Sequence, residues 1–214
     1  LADKIEDPKV IERIFNKYSD QISVTGRLIQ NRHADENVVR GIYSKMLNSY
    51  DKEKAAMGYV DSRTQDFLGR VFYAKNLPKD IAEEMVRNNF NPRWAYNQNT
   101  LSEHAEVAIV NGLASGEYTA GNKYKEGREV DREGNQIAKR IAKTSKNQDH
   151  IRKIHEYFRG ENPDEYDFLW DNQDPFAANP NTPADVLAER SDLYKEPKAL
   201  IQHQNFPTET LEHW

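Results

Sequence analysis

The chain reads as all-α: a right-handed α-solenoid of helical repeats of roughly 23–28 residues, with one irregular, glycine-rich basic insertion. Three observations predict this. Apolar residues recur at helical spacing along most of the chain. A helix-start motif returns at a nearly constant step. Hydrophobic residues make up only 37% and mean hydropathy is −0.95, which suits repeats that each bury a face only against their neighbours.

The start motif is clearest at Asn179-Pro-Asn-Thr-Pro-Ala-Asp-Val-Leu187. Thr182 is the expected N-cap, Pro183 the first helical residue, and Asp185 the acid that closes a capping box and faces the positive helix end. The motif returns as Asn205-Phe-Pro-Thr-Glu-Thr-Leu211, with Pro183 and Pro207 24 residues apart. Upstream, Asn76-Leu-Pro-Lys-Asp-Ile and Asn99-Thr-Leu-Ser-Glu-His share the order at a 23-residue step. Looser copies open at Asp7, Asp35, Asp61 and Asn147, the first three separated by 28 and 26 residues.

In chain order, residues 3–18 predict a helix with Val10, Ile11, Ile14, Phe15 and Tyr18 on one face. Ile22–Gln30 is a shorter element. A stripe of Val38, Val39, Ile42, Tyr43, Met46 and Leu47 begins at Asp35, and Asp51–Tyr59 is expected as a separate connector helix. Phe67, Leu68, Val71 and Phe72 mark the next helix, and Ile81, Met85 and Val86 the one after Pro78. Residues 88–97, with Pro92 and four asparagines, form a turn-rich link. Asn99 or Ser102 caps a helix carrying Ala105, Val107, Ala108, Ile109 and Val110.

The rhythm then breaks. Residues 111–146 hold five of the ten glycines, and 123–146 carry eight Lys/Arg against four Asp/Glu, in a chain whose net charge is −5. Residues 127–135 read as a loop or hairpin tip, and 135–146 as a helix with Ile137, Ala138, Ile141 and Ala142 inward. The expected organisation is therefore repeats over 1–110, an insertion over 111–146 and repeats over 147–214. The array is expected to continue past Trp214, in a chain that is a fragment or a trimmed product.

The residues at 179–189 and 200–211 resemble the leucine-rich repeat variant family, whose unit opens on Asn-Pro-Asn-Thr-Pro-x-acid-x-Leu. The likeness is concentrated at 179–214 and reaches 75–110; Leu101 stands where the proline would be. The resemblance implies an α-solenoid of alternating longer and shorter helices, close to HEAT-type arrays, that serves recognition and has no common catalytic residues.

Chemistry is sparsely signalled. Zero cysteines exclude disulfides and thiolate ligands and fit a cytoplasmic protein. No apolar run approaches the ~20 residues that span a bilayer, and no phosphate-binding glycine motif occurs. His150 and His155 lie about 140° apart on a helix, so they do not face one metal site, and His104 reads as a solvated first-turn residue. No catalytic residue, metal or cofactor is assigned.

The expected function is non-enzymatic binding of another protein through the repeat face and the insertion, with aromatic contacts at Trp94, Tyr96, Tyr118, Tyr124 and Trp170. Trp94 and Trp170 read at least as well as plugs of the gaps between repeats. A nucleic-acid-binding solenoid is the alternative, acting through Lys123, Lys125, Arg128, Arg132, Lys139, Arg140 and Lys143. A third reading is the repeat domain of a larger bacterial or phage enzyme.

Overall fold

A computed structural model describes residues 4–92, 101–119, 132–161, 174–193 and 198–209. Among these residues there are ten α-helices and no strand. The chain divides into two compact units. The first comprises Leu1–Ile109 with Tyr118–Glu133, and the second Val110–Glu117 with Gly134–Trp214.

In the first unit, α1 (Pro8–Tyr18) starts where Asp7 accepts the Lys9 N–H at 2.9 Å, with Pro8 in the first turn. It therefore begins later than residue 3. Helix α2 spans Ile22–Leu28. Helix α3 (Glu36–Met57) is capped by Asp35, which accepts the Val38 N–H at 2.9 Å, and it buries Val38, Val39, Ile42, Tyr43 and Met46. The connector expected at 51–59 is the end of this same helix. Lysines, glutamate and alanines favour its continuation, and only Gly58, left-handed at φ 74°, stops it. Gly41 lets α1 come close: a Cβ there would lie 2.6 Å from the Phe15 ring.

Helix α4 (Ser62–Val71) is capped by Asp61 and packs on α3. Glu53 ties the two helices, accepting from the Asp61 N–H at 2.9 Å and the Thr64 hydroxyl at 2.7 Å. Helix α5 spans Lys79–Arg87. Helix α6 (Glu103–Ala114) starts at Ser102, whose hydroxyl accepts the Ala105 N–H at 3.1 Å.

In the second unit, α7 (Arg132–Thr144) buries Ile137, Ala138, Ile141 and Ala142, as the periodicity predicts. Helix α6 runs on to Ala114, inside the expected 111–146 insertion, and α7 covers most of the helix expected at 135–146, beginning three residues earlier and ending at Thr144. Helix α8 (Gln148–Glu161) buries Ile151, Ile154, Tyr157 and Phe158. Helices α9 (Ala184–Ser191) and α10 (Lys198–Ile201) pack together, with Leu187, Leu200 and Phe206 in one buried cluster.

Among the described residues, one local structure recurs twice in each unit, immediately before a helical turn. Its copies run Leu28–Asp35, Val71–Pro78, Phe176–Pro183 and Leu200–Pro207. In each, the fourth residue's N–H bonds to the first residue's carbonyl, and the seventh residue's N–H to the fourth residue's carbonyl, at 3.0–3.3 Å. The first residue (Leu28, Val71, Phe176 or Leu200) is fully buried, and the seventh (Ala34, Leu77, Thr182 or Phe206) is at most 7% exposed. We call this eight-residue structure a joint.

The joints correct the expected cap at Thr182. Its hydroxyl donates to the Phe176 carbonyl at 2.7 Å inside the joint. Pro183 is the N-cap, with its carbonyl accepting the Leu187 N–H at 3.1 Å. Pro78 opens α5 in the same way.

Candidate functional site

The joints carry their polar side chains in register. The fourth residue accepts the backbone N–H two residues on and donates backward along the chain. Asn31 accepts from His33 and donates to the Ile5 carbonyl, both at 2.8 Å. Asn179 accepts from Asn181 at 2.9 Å and donates to the carbonyls of Ala142 and Ser145 at 2.7 and 2.9 Å. His203 accepts the Asn205 N–H on Nδ1 at 3.1 Å and sets Nε2 against the Asn179 carbonyl at 2.7 Å. In the second joint this place is Ala74.

The sixth residue is asparagine in the second, third and fourth joints and His33 in the first. Asn76 donates to the Ala34 carbonyl at 2.7 Å, and Asn205 to the Thr182 carbonyl at 3.0 Å. Both acceptors are the seventh residue of the preceding joint. Asn181 reaches the Ser145 carbonyl at 3.5 Å. Thus the asparagines of the sequence motif link one helix start to another 23–42 residues away. His104 adds a link of the same kind, its Nδ1 donating to the Leu77 carbonyl at 2.8 Å. The histidine is exposed, as expected of it, and this bond gives it a defined partner as well.

Ion pairs follow the same register. Arg40, in the second turn of α3, forks onto Asp80 near the start of α5 at 2.7 and 2.8 Å, and also bonds Glu36. Arg152 of α8 bonds Asp185 near the start of α9 at 2.8 and 3.2 Å, and also bonds Asp149. Arg40 holds the Asp80 carboxyl below its ordinary value, and Arg152 does the same to Asp185; in each case N–H groups of the first helical turn add to the effect. The acid near each helix start therefore faces both the positive helix end and an arginine from another helix.

Two recesses flank α3. One, of about 420 Å³, lies against the starts of α3, α5 and α6 and is lined by Glu36, Arg40, Lys75, Lys79, Asp80 and His104 with their neighbours. The other, of about 350 Å³, is lined by Lys45, Lys52, Thr25, Thr64 and Phe67 with their neighbours. Lys45 there is bonded to Ser19 and, at 2.7 Å, to Asp20. Both recesses mix opposite charges that already satisfy one another in part.

The second unit holds a buried charged group. Arg190 and Asp174 are both fully buried and bonded through Nε and Oδ2, and the guanidinium lies 4.6 Å from the centre of the Phe176 ring. Asp174 also accepts the Phe176 N–H at 2.8 Å. His155 meets the same ring edge-on and bonds Glu189 at 3.0 Å. Burial pushes the His155 imidazole below its ordinary value, against the opposing pull of Glu189. Among the described residues no group of three or more His, Cys, Asp or Glu is placed to hold a metal ion.

Of the aromatic contacts expected from the sequence, Trp94, Tyr96, Tyr124 and Trp170 lie outside the described residues. Tyr118 is corrected: it is 2% exposed, and its hydroxyl donates to the Phe90 carbonyl at 2.9 Å. The chain turns at Gly116 (φ 71°), and Asn89 then grips Thr119 through two hydrogen bonds, which draws the ring inside. Of the basic set, Lys123, Lys125 and Arg128 lie outside the described residues, as does the side chain of Arg132 in α7. Lys139 and Arg140 are half-buried on α7 and Lys143 is exposed.

Exposed apolar side chains include Met57 and Tyr59, 47% and 66% exposed, on either side of Gly58, which the sequence did not single out, and Leu193 and Tyr18, the latter expected on the apolar face of the first helix. The available signal was a glycine ending a long amphipathic helix between two large apolar residues. No known family model, characterised protein or solved structure matches the chain.

Proposed function

We propose that the chain is an α-solenoid scaffold, of the leucine-rich repeat variant kind, that binds another protein and performs no chemistry of its own. The observation that carries this reading is the joint: the same backbone turns and buried positions recur in each unit, with side chains reaching back along the chain. Such a platform loses little conformational freedom on binding, so contact energy is retained as affinity. Met57 and Tyr59 provide exposed apolar area of the type that anchors interfaces. Trp94, Tyr96, Tyr124 and Trp170 are further contacts in this reading, and a cysteine-free chain suits the cytoplasm.

The test is affinity capture with cross-linking, comparing the wild-type chain with a Met57→Ser/Tyr59→Ser variant. The reading expects a partner cross-linked near Met57 and Tyr59 that the variant captures at least about tenfold less, the loss of roughly one anchor contact, with helicity unchanged. Equal capture by both chains counts against this surface. A salt-sensitive shift of DNA or RNA, lost on Arg128→Glu/Arg132→Glu, would favour the nucleic-acid alternative.

A further inference from the structure

We propose that His203 is a pH-sensitive link in the last joint, so that acid loosens there a turn that asparagines hold at all pH values in equivalent joints. The fourth residue of a joint has two tasks: to accept the N–H two residues on, and to donate to a carbonyl earlier in the chain. An asparagine amide does both with one oxygen and one NH₂ group, and it does not titrate. Asn31 and Asn179 work in this way.

His203 performs the same tasks with two ring nitrogens. Nδ1 accepts from the Asn205 N–H at 3.1 Å, and Nε2 faces the Asn179 carbonyl at 2.7 Å. The first bond requires a bare Nδ1 and the second a protonated Nε2. Together they select one neutral tautomer. An imidazolium donates from both nitrogens. Protonation therefore keeps the link to Asn179 and replaces the link to Asn205 with two opposed donors.

The ring is half-buried and accessible to protons. Its hydrogen-bond partners are neutral backbone groups. Of the charged groups on neighbouring elements, Asp185 of α9 is held by Arg152, Glu209 accepts from Thr208, and Lys198 lies five residues back at the start of α10. None of the three bonds the ring. The next residues carry the consequence: Asn205 donates to the Thr182 carbonyl, and Phe206 packs with Leu187 and Leu200. His104 gives the contrast within the same molecule. Its Nδ1 donates to the Leu77 carbonyl, a bond that an imidazolium keeps.

The experiment uses the ¹⁵N-labelled chain at about pH 7.5 and about pH 5, on either side of the imidazole range. Long-range ¹H–¹⁵N spectra at the higher pH read the His203 tautomer. Amide exchange, corrected for intrinsic rates, then compares Asn205 with His33 and Asn181, whose N–H groups bond to Asn31 and Asn179. The expected result is the Nε2–H tautomer and a loss of Asn205 protection on acidification about tenfold greater than at the two controls, the effect of one net hydrogen bond. His203→Asn should abolish that excess. The proposal is overturned by an Nδ1–H tautomer, by Asn205 falling no further than the controls, or by an undiminished fall in His203→Asn. If that variant folds poorly, the three amides of the wild-type chain still decide.

Discussion

Arg40 on α3 grips Asp80 near the start of α5 with both terminal nitrogens, at 2.7 and 2.8 Å, and Arg152 on α8 grips Asp185 near the start of α9 through Nε and one terminal nitrogen, at 2.8 and 3.2 Å. The same chemistry in the same register of two helix pairs shows how these helix starts are paired. Both carboxylates are largely exposed, so the pairs align helices more than they stabilise them.

The Arg40–Asp80 pair sets a pH response. Arg40 holds the Asp80 carboxyl below its ordinary value. The stabilisation is therefore fully present above the usual carboxylate range and is lost as pH falls through and below it. Asp80→Asn should lower stability slightly at neutral pH, flatten its fall towards acid, and matter less in high salt. Urea unfolding across pH, at low and high salt, checks this. An unchanged acid slope would refute it.

The buried joint asparagines should outweigh the exposed ones. Asn179 is 1% exposed and serves one backbone N–H and two carbonyls. Asn179→Ala should cost about 3 kcal/mol, because those groups lose their partner away from water. Asn76 is exposed and makes one such bond, so Asn76→Ala should cost about 1 kcal/mol or less. Denaturant melts of the two variants provide the comparison, and equal costs would contradict it.

His155 predicts loss of stability in mild acid. Burial holds its native value below the usual 6.5. Above about pH 6.5 the imidazole is neutral in both the folded and unfolded states. As pH falls below that, the unfolded chain takes up the proton first and the fold loses ground until the lower native value is reached. His155→Gln should shrink the stability difference between about pH 7.5 and about pH 5.5. The readout is the midpoint of chemical unfolding at each pH.

Arg190 should tolerate loss of charge only together with Asp174. Arg190→Met leaves a fully buried carboxylate without this cation and should cost about 3–5 kcal/mol. Asp174→Asn/Arg190→Met removes both charges and should recover part of that loss. Thermal melts of single and double variants measure the coupling, and a double variant worse than the single would exclude it.

The local half of the fold was legible in the sequence. Asp35 caps its helix where the start motif opens, and of the two caps read for α6 it is Ser102 that bonds the first turn, because a cap depends on the residues of one turn. The joint was only half legible. The Asn-x-Pro order marks Asn76, Asn181 and Asn205 but not Leu28-Ile-Gln-Asn31, which Leu200-Ile-Gln-His203 echoes closely. The shared feature there is not proline but a buried leucine three residues before a bifunctional side chain. A hydroxyl that can cap a first turn serves equally well inside a joint once burial removes competing water, and that of Thr182 does the latter.

By itself, the sequence determined the helical class, the stripes that face the core and most helix starts, since these follow from residue spacing and one-turn hydrogen bonding. Tertiary structure decided that Asn76 meets the Ala34 carbonyl and Asn179 the Ser145 carbonyl, that Tyr118 turns inward, and that Arg190 is buried with Asp174. Partners this far apart in the chain are chosen by which groups packing removes from water together, and no local spacing encodes that choice.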